Sequence, residues 1–274
     1  MAAPLLRAMR KGGPPELPIL MYHSISDDPE DGVSEYYKTC TSPQAFRRQM
    51  HFLRDAGCRV VPLEEAVRTL GAGNQSGEKQ VVVTFDDGFR DFYDQAYPVL
   101  RDCGFTASMF LPTAFIGNSR HSLKGKECMN WPEVRELLDA GIRFGSHTVN
   151  HPVLVDLEWK EIEREVRDSK NELEQNLGAP AETFAYPYAF PQADHAFVRQ
   201  FAHLLEDAGY ECCVTTVIGF ARPGDNLFQL KRLPVNSRDD NALFQAKLEG
   251  AYNWLAVPQQ LLKEGKRRLR GYLP

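Results

Sequence analysis

Apolar residues along this chain recur with two different periods. Short runs rich in Val, Ile, Leu and Phe have the length and residue types of strands: Leu17 to Tyr22, Cys58 to Val61, Gln80 to Phe85, Thr106 to Leu111, Ile142 to Gly145, Thr183 to Tyr186, Glu211 to Thr216 and Phe228 to Leu233. Between them apolar positions return every three or four residues, as in Phe46, Met50 and Leu53, or Phe92, Ala96, Val99 and Leu100. That spacing predicts amphipathic helices. They are expected from Pro43 to Gly57, Leu63 to Leu70, Asp91 to Cys103, Trp131 to Ala140, Glu158 to Leu177, Ala193 to Ala208 and Asn241 to Trp254. Pro43 and Pro132 fall in first turns and Gly141, Gly178 and Gly209 at helix ends, the usual asymmetry of helix punctuation. Asp27 to Thr41 and Pro112 to Asn130 show no period and read as long loops, which are often functional. Alternating strands and helices argue for a parallel sheet, and seven or eight repeats predict an α/β fold closed into a distorted β/α barrel.

With 274 residues and 43% hydrophobic content, the chain can bury one full core. Residues 1–16 read as a flexible leader, 17–257 as the folded domain and 258–274 as a basic tail. The tail bases Lys263, Lys266, Arg267, Arg268 and Arg270 form either a solvated helix face or a peripheral contact with an anionic membrane. Thirty-two Lys and Arg against 37 Asp and Glu give a formal charge of -5, which leaves no overall basic field for nucleic acid. No apolar run approaches the roughly 18 residues of a membrane span, and Arg7, Arg10 and Lys11 precede no apolar export segment. A cytoplasmic location is expected unless an export signal has been removed from the sequence, with the inner face of the membrane as its outer limit. Six cysteines without C-x-x-C spacing read as reduced, mostly buried thiols.

Candidate chemistry begins at Thr84-Phe85-Asp86-Asp87-Gly88, which follows the β-branched run Val81-Val82-Val83. A buried strand here would deliver two carboxylates to its C-terminal rim, where α/β folds place their sites. Adjacent carboxylates repel unless a cation or a proton separates them, which suggests one metal ligand and one base. A turn that caps the next helix would use the same residues. His147 and His151 follow another strand, and an i,i+4 pair of imidazoles converges on one ion if the segment turns helically. Asp86 or Asp87, at the same rim, would complete a two-histidine, one-carboxylate set with an open position.

Three segments in order, Thr84-Phe85-Asp86-Asp87-Gly88, Ser146-His147-Thr148 with His151-Pro152, and Phe184-Ala185-Tyr186-Pro187-Tyr188, resemble the polysaccharide deacetylases of the NodB-homology class, carbohydrate esterase family four. The resemblance runs from about Leu17 to Trp254 and makes residues 17–257 the catalytic domain, a distorted barrel of seven β/α units. It implies that Asp86 is the base and that Asp87, His147 and His151 hold a divalent ion, zinc or a substitute such as cobalt or nickel. It also places an oxyanion-binding N–H at Tyr188. The late histidine that serves many relatives as the acid is missing, since none follows His203. Pro18-Ile19-Leu20-Met21-Tyr22-His23 is instead similar to the N-terminal segment of the biofilm poly-N-acetylglucosamine deacetylases. There the histidine is the acid, and His23 is expected to face the metal opposite Asp86; its other reading is a strand-end cap.

The family's usual arginine before Pro-Tyr is replaced by Ala185 and Tyr186, which leaves open what tunes Asp86. Arg232, at the end of the last expected strand, and Arg90, just past Gly88, are the candidates, each being otherwise a surface or structural arginine. With Pro187 and Trp131 they form the candidate substrate-facing set, Trp131 being either a sugar platform or a core residue. Tyr36, Tyr37 and Phe190 are similar aromatic candidates. The expected function is metal-dependent removal of N-acetyl groups from amino sugars of a polysaccharide or glycan precursor. A degenerate module that binds a glycan or partner, or an O-acetyl esterase or N-deformylase, would use the same residues.

Overall fold

Alternation along Gln80–Phe85 lays out the fold. Val81, Val83 and Phe85 pack outward against helices, while Val82 turns inward among Ile19, Phe110, Ala185, Val214 and Leu230. Each fully buried Val, Leu, Ile or Phe among them contributes about 1.5–3 kcal/mol. A computed structural model describes residues 16–30, 32–33, 38–71 and 79–251. Its strands are β1 (Ile19–Tyr22), β2 (Arg59–Val60), β3 (Gln80–Phe85), β4 (Ser108–Leu111), β5 (Ser122–Leu123), β6 (Lys126–Glu127), β7 (Arg143–Ser146), β8 (Thr183–Ala185), β9 (Cys212–Ile218) and β10 (Leu230–Pro234). Parallel pairing in the order β1-β10-β9-β8-β7-β4-β3 is closed by β1 against β3, so seven strands form a barrel and β2 flanks β3.

The helices are α1 (Pro43–Asp55), α2 (Leu63–Gly71), α3 (Tyr97–Cys103), α4 (Trp131–Asp139), α5 (Trp159–Leu177), α6 (His195–Asp207) and α7 (Asn241–Leu248). Phe46, Val99 and Val134 of α1, α3 and α4 cover one outer face of the barrel. Val166 and Phe201 of α5 and α6 cover Phe184, Cys213 and Val217 on another. Gly145 of β7 lies where a Cβ would collide with Thr183 and Phe110, so the barrel tolerates no side chain there.

Three expectations change. The helix expected from Asp91 begins as a π turn, Phe92–Ala96, because Pro98 has no N–H to donate and the ladder shifts to i→i+5 ahead of it. The long loop before Trp131 contains a 3-10 turn, Thr113–Phe115, and the antiparallel hairpin β5–β6. Among the described residues no helix is long and apolar enough to cross a membrane. The helix expected to reach Trp254 ends at Leu248, with Glu249 as its cap and Gly250 at φ 75° just beyond. The leader up to residue 15, Tyr36, Tyr37, residues 72–77 of the expected linker and the basic tail fall outside the described residues.

Candidate active site

Strand register assembles the site at the C-terminal rim. Tyr22 pairs with Phe85 across β1 and β3, and the Asp86 N–H donates to Tyr22 O at 3.0 Å, so His23 stands level with Asp86. Its Nε2 lies 3.8 Å from Asp86 Oδ2, and its side chain is 19% exposed. His23 is therefore beside Asp86, not across from it, because neighbouring parallel strands end side by side.

Arg232 of β10 reaches Asp86 from the barrel interior. Its Nη1 and Nη2 donate to the two carboxylate oxygens at 2.7 Å each. Nε donates to Thr215 O at 3.0 Å, and Nη1 also donates to Thr84 Oγ1 at 3.2 Å. Both side chains are buried, Arg232 fully. Burial alone would push the Asp86 carboxyl up, but the Arg232 charge, followed by His147, Arg232's hydrogen bonds and His23, holds it below the usual carboxylate range. Arg232 is thus the partner of Asp86 and, being fully buried, does not face substrate. Arg90 pairs with Asp94 and Glu133 instead, because its side chain leaves the rim toward α4.

Asp87 turns away from its neighbour through a left-handed backbone, φ 74°. Its Oδ1 lies 3.1 Å from His151 Nε2 and 3.6 Å from His147 Nε2. These three residues offer ligand atoms within 4.8 Å of one another, all buried. Burial raises the Asp87 carboxyl, but the nearby imidazole of His151, then His23, His147 and Lys124, bring it far below the ordinary range. Ala185 O lies 2.7 Å from His147 Nδ1; a carbonyl only accepts, so Nδ1 donates and the Nε2 lone pair faces Asp87. Burial pushes His147 down to about 4, leaving it neutral at neutral pH, as a metal ligand must be.

The histidine segment is not helical. Thr148 and His151 have φ of 70° and 54°, and the turn is closed by side chains: Thr148 N–H donates to Ser146 Oγ and His151 N–H to Thr148 Oγ1. Glu165 of α5 clamps it from outside. Its carboxylate accepts from Val149 N–H, Asn150 N–H and Asn150 Nδ2 at 2.7–2.9 Å. Nothing in the sequence separates Glu165 from the other acidic residues of that helix.

Buried Asp87 Oδ1 and His151 Nδ1 have no hydrogen-bond partner. A carboxylate oxygen orphaned between two imidazole nitrogens is costly unless a cation joins it, so these residues fit a divalent ion. The mixed N and O donors suit zinc, and also cobalt or nickel.

Tyr188, with φ 57°, packs its ring 4.6 Å from that of His151 and is 43% exposed. Its N–H meets no acceptor among the described residues. Pro187 before it is buried and shapes the turn. Trp131 and Phe190 are also buried, at 3% and 6% exposure, so neither offers a face to a sugar. Trp131 begins α4 with its ring in the core, the other reading its position allowed. Lys124, which sequence patterning passed over, stands beside Asp87 from the β5–β6 hairpin.

Comparison with known proteins agrees with the barrel fold. The polysaccharide deacetylase family profile matches residues 73–212. YxkH of Bacillus subtilis strain 168, named among polysaccharide deacetylases, is 30% identical over 236 residues, 86% of this chain and 77% of the relative. The poly-β-1,6-N-acetyl-D-glucosamine N-deacetylase of Staphylococcus epidermidis is 25% identical over 173 residues, 60% of this chain and 58% of the relative. Among solved structures, the Streptococcus pyogenes deacetylase PplD in complex with acetate aligns with a TM-score of 0.74 and 26% identity, over 86% of this chain and 99% of that one. IcaB from Ammonifex degensii aligns with a TM-score of 0.70 and 25% identity, over 87% and 98%.

Proposed function

We propose that this chain, which belongs to the polysaccharide deacetylase family, is a metal-dependent hydrolase that removes N-acetyl groups from amino sugars of a polysaccharide or glycan precursor. The observation that carries this reading is the division of roles between adjacent carboxylates. Asp86 is paired and ionised, whereas Asp87 has an oxygen left over between His147 and His151. The amide named for the Staphylococcus epidermidis relative supports an N-acetyl substrate. Lack of a guanidinium beside Asp86 would favour a non-catalytic binding module, and Arg232 supplies that guanidinium from β10.

Asp87, His147 and His151 would hold the ion. When bound, such an ion supplies Lewis acidity to a water and to the acetamide carbonyl. Asp86, kept ionised by Arg232, accepts the proton of the attacking water. The free Tyr188 N–H donates to the carbonyl oxygen as it becomes an oxyanion. Asp86 passes the water's proton to His23, whose Nε2 lies 3.8 Å from Asp86 Oδ2, and His23 delivers it to the departing nitrogen. The C–N bond then breaks, acetate leaves, and the amine keeps the bond pair with its new proton.

The test joins metal content to turnover. Protein purified without chelator is expected to carry about one divalent ion and to release acetate from some of a panel of N-acetylated sugars, with His147→Ala losing both. Equal metal in the two proteins, or no acetate from any sugar, would overturn the reading.

A further inference from the structure

The β5–β6 hairpin brings to the rim a cation that the reaction above does not use. Lys124 and Gly125, with φ of 53° and 81°, make the two-residue turn between Ser122–Leu123 and Lys126–Glu127. Asn, Asp or Gly is the usual first residue of such a turn, so the turn itself gives no reason for a lysine. Asp87, Lys124, Thr148, His151 and Tyr188 are the non-glycine residues at positive φ among the described residues. The other four belong to the site, and backbone strain of this kind collects where function requires it.

The Lys124 ammonium lies 3.7 Å from Asp87 Oδ2, with 47% of its side chain exposed, and 5.0 Å from the centre of the Tyr188 ring. Its hairpin is firmly tied. Arg90 N–H donates to Glu127 O and Met129 N–H to Gly88 O, anchoring it to the segment after Asp87. Lys126 Nζ donates to Ser24 Oγ, Ser26 Oγ and Asp28 Oδ2, anchoring it to the segment after His23. Lys124 therefore projects from a support fixed to both halves of the site.

Asp87 is the carboxylate within ion-pair distance of Lys124 among the described residues, and it is also the ligand assigned above to the ion. Once the charge of Asp87 is shared with a divalent cation, the ammonium faces solvent at the mouth without an anion of its own. We propose that Lys124 is a specificity-determining residue that binds an acidic group, carboxylate or phosphate, carried by the substrate next to the N-acetyl sugar. This rests on the deacetylase reading and narrows its substrate to acidic glycans or phosphorylated glycan precursors.

Two matched pairs of compounds test it: disaccharides of N-acetylglucosamine linked to glucose or to glucuronate, and N-acetylglucosamine with or without a 1-phosphate. For metal-loaded protein, kcat/KM for acetate release should favour the acidic member of at least one pair by about tenfold or more, chiefly through KM, as a charge-assisted hydrogen bond implies. Lys124→Ala should bring that ratio to about one, and Lys124→Arg should keep it. The same ratios should appear in Kd, measured by titration calorimetry on the metal-loaded Asp86→Asn protein with and without Lys124→Ala. A ratio near one for both pairs in the parent protein, or a ratio that Lys124→Ala leaves unchanged, overturns the proposal. The pair that shows the preference identifies carboxylate or phosphate as the group read. Should no compound release acetate, the deacetylase reading fails, and the binding ratios alone still decide the role of Lys124.

Discussion

The two halves of the site differ in how far folding completes them. Around Asp86, each carboxylate oxygen has its own guanidinium N–H, and the pair is closed and neutral inside the barrel. Around Asp87, one oxygen and one imidazole nitrogen are buried without hydrogen bonds, on backbone held at positive φ. The chain finishes the first half by itself and leaves the second for a ligand. Two adjacent aspartates should therefore fail in different ways when changed.

The largest expected effect separates them directly. Asp86→Asn should lower kcat by about 10² to 10⁴, the usual scale for losing a general base, with metal content unchanged by elemental analysis. Loss of metal in that variant would show that the halves are not independent.

Arg232→Met comes next, since it strands a buried carboxylate. Removing one partner of a buried pair costs about 3–5 kcal/mol, which urea unfolding of chelator-treated protein would measure. In the parent protein the folded pKa of Asp86 is lowered, so the pair's contribution is present above the unfolded carboxylate value and is lost as pH falls through the folded one. In Arg232→Met the sign reverses, and stability should recover as Asp86 is protonated. Adding Asp86→Asn to Arg232→Met should restore most of the loss. A single variant as stable as its parent would mean that the guanidinium neutralises nothing.

The smallest effect probes the ligand half from outside. Glu165→Ala removes three hydrogen bonds from the turn between the histidines and should weaken metal binding by about ten- to a hundredfold, read by competition with a chelator. Glu165→Gln can keep all three if the Asn150 amide turns over, so its loss should be much smaller. Unchanged affinity in Glu165→Ala would show that Ser146 and Thr148 hold the turn alone.

How much of this was legible in the sequence follows from how local each cause is. Gln80 to Phe85 is a strand with the expected ends because three β-branched residues and a following Asp-Asp-Gly are enough to define it. The residues at strand ends, His23, Asp86, Asp87, His147 and His151, meet at one rim because parallel strands in a barrel end together. The choice between Arg232 and Arg90 was not legible. It depends on the register of β1 between β10 and β3, a contact spanning 146 residues. Nor was the shape of the histidine turn, which Ser and Thr hydroxyls bend away from a helix. Strands of two residues, as in β5 and β6, are too short to show a period, so Lys124 sat in what read as a featureless loop.

Closing the barrel by placing β1 between β10 and β3 also orders events on the ribosome. Asp86 leaves the exit tunnel 146 residues ahead of the arginine that will neutralise it. At typical elongation speeds this is an interval of roughly 7 to 30 s. Throughout it the carboxylate has no Arg232 to pair with, and β1, which carries His23, has no β10 to dock against. The half of the site that handles protons is thus completed by the last barrel strand of the described residues. A growing chain can complete the strands carrying Asp87, His147 and His151 well before it can become an enzyme.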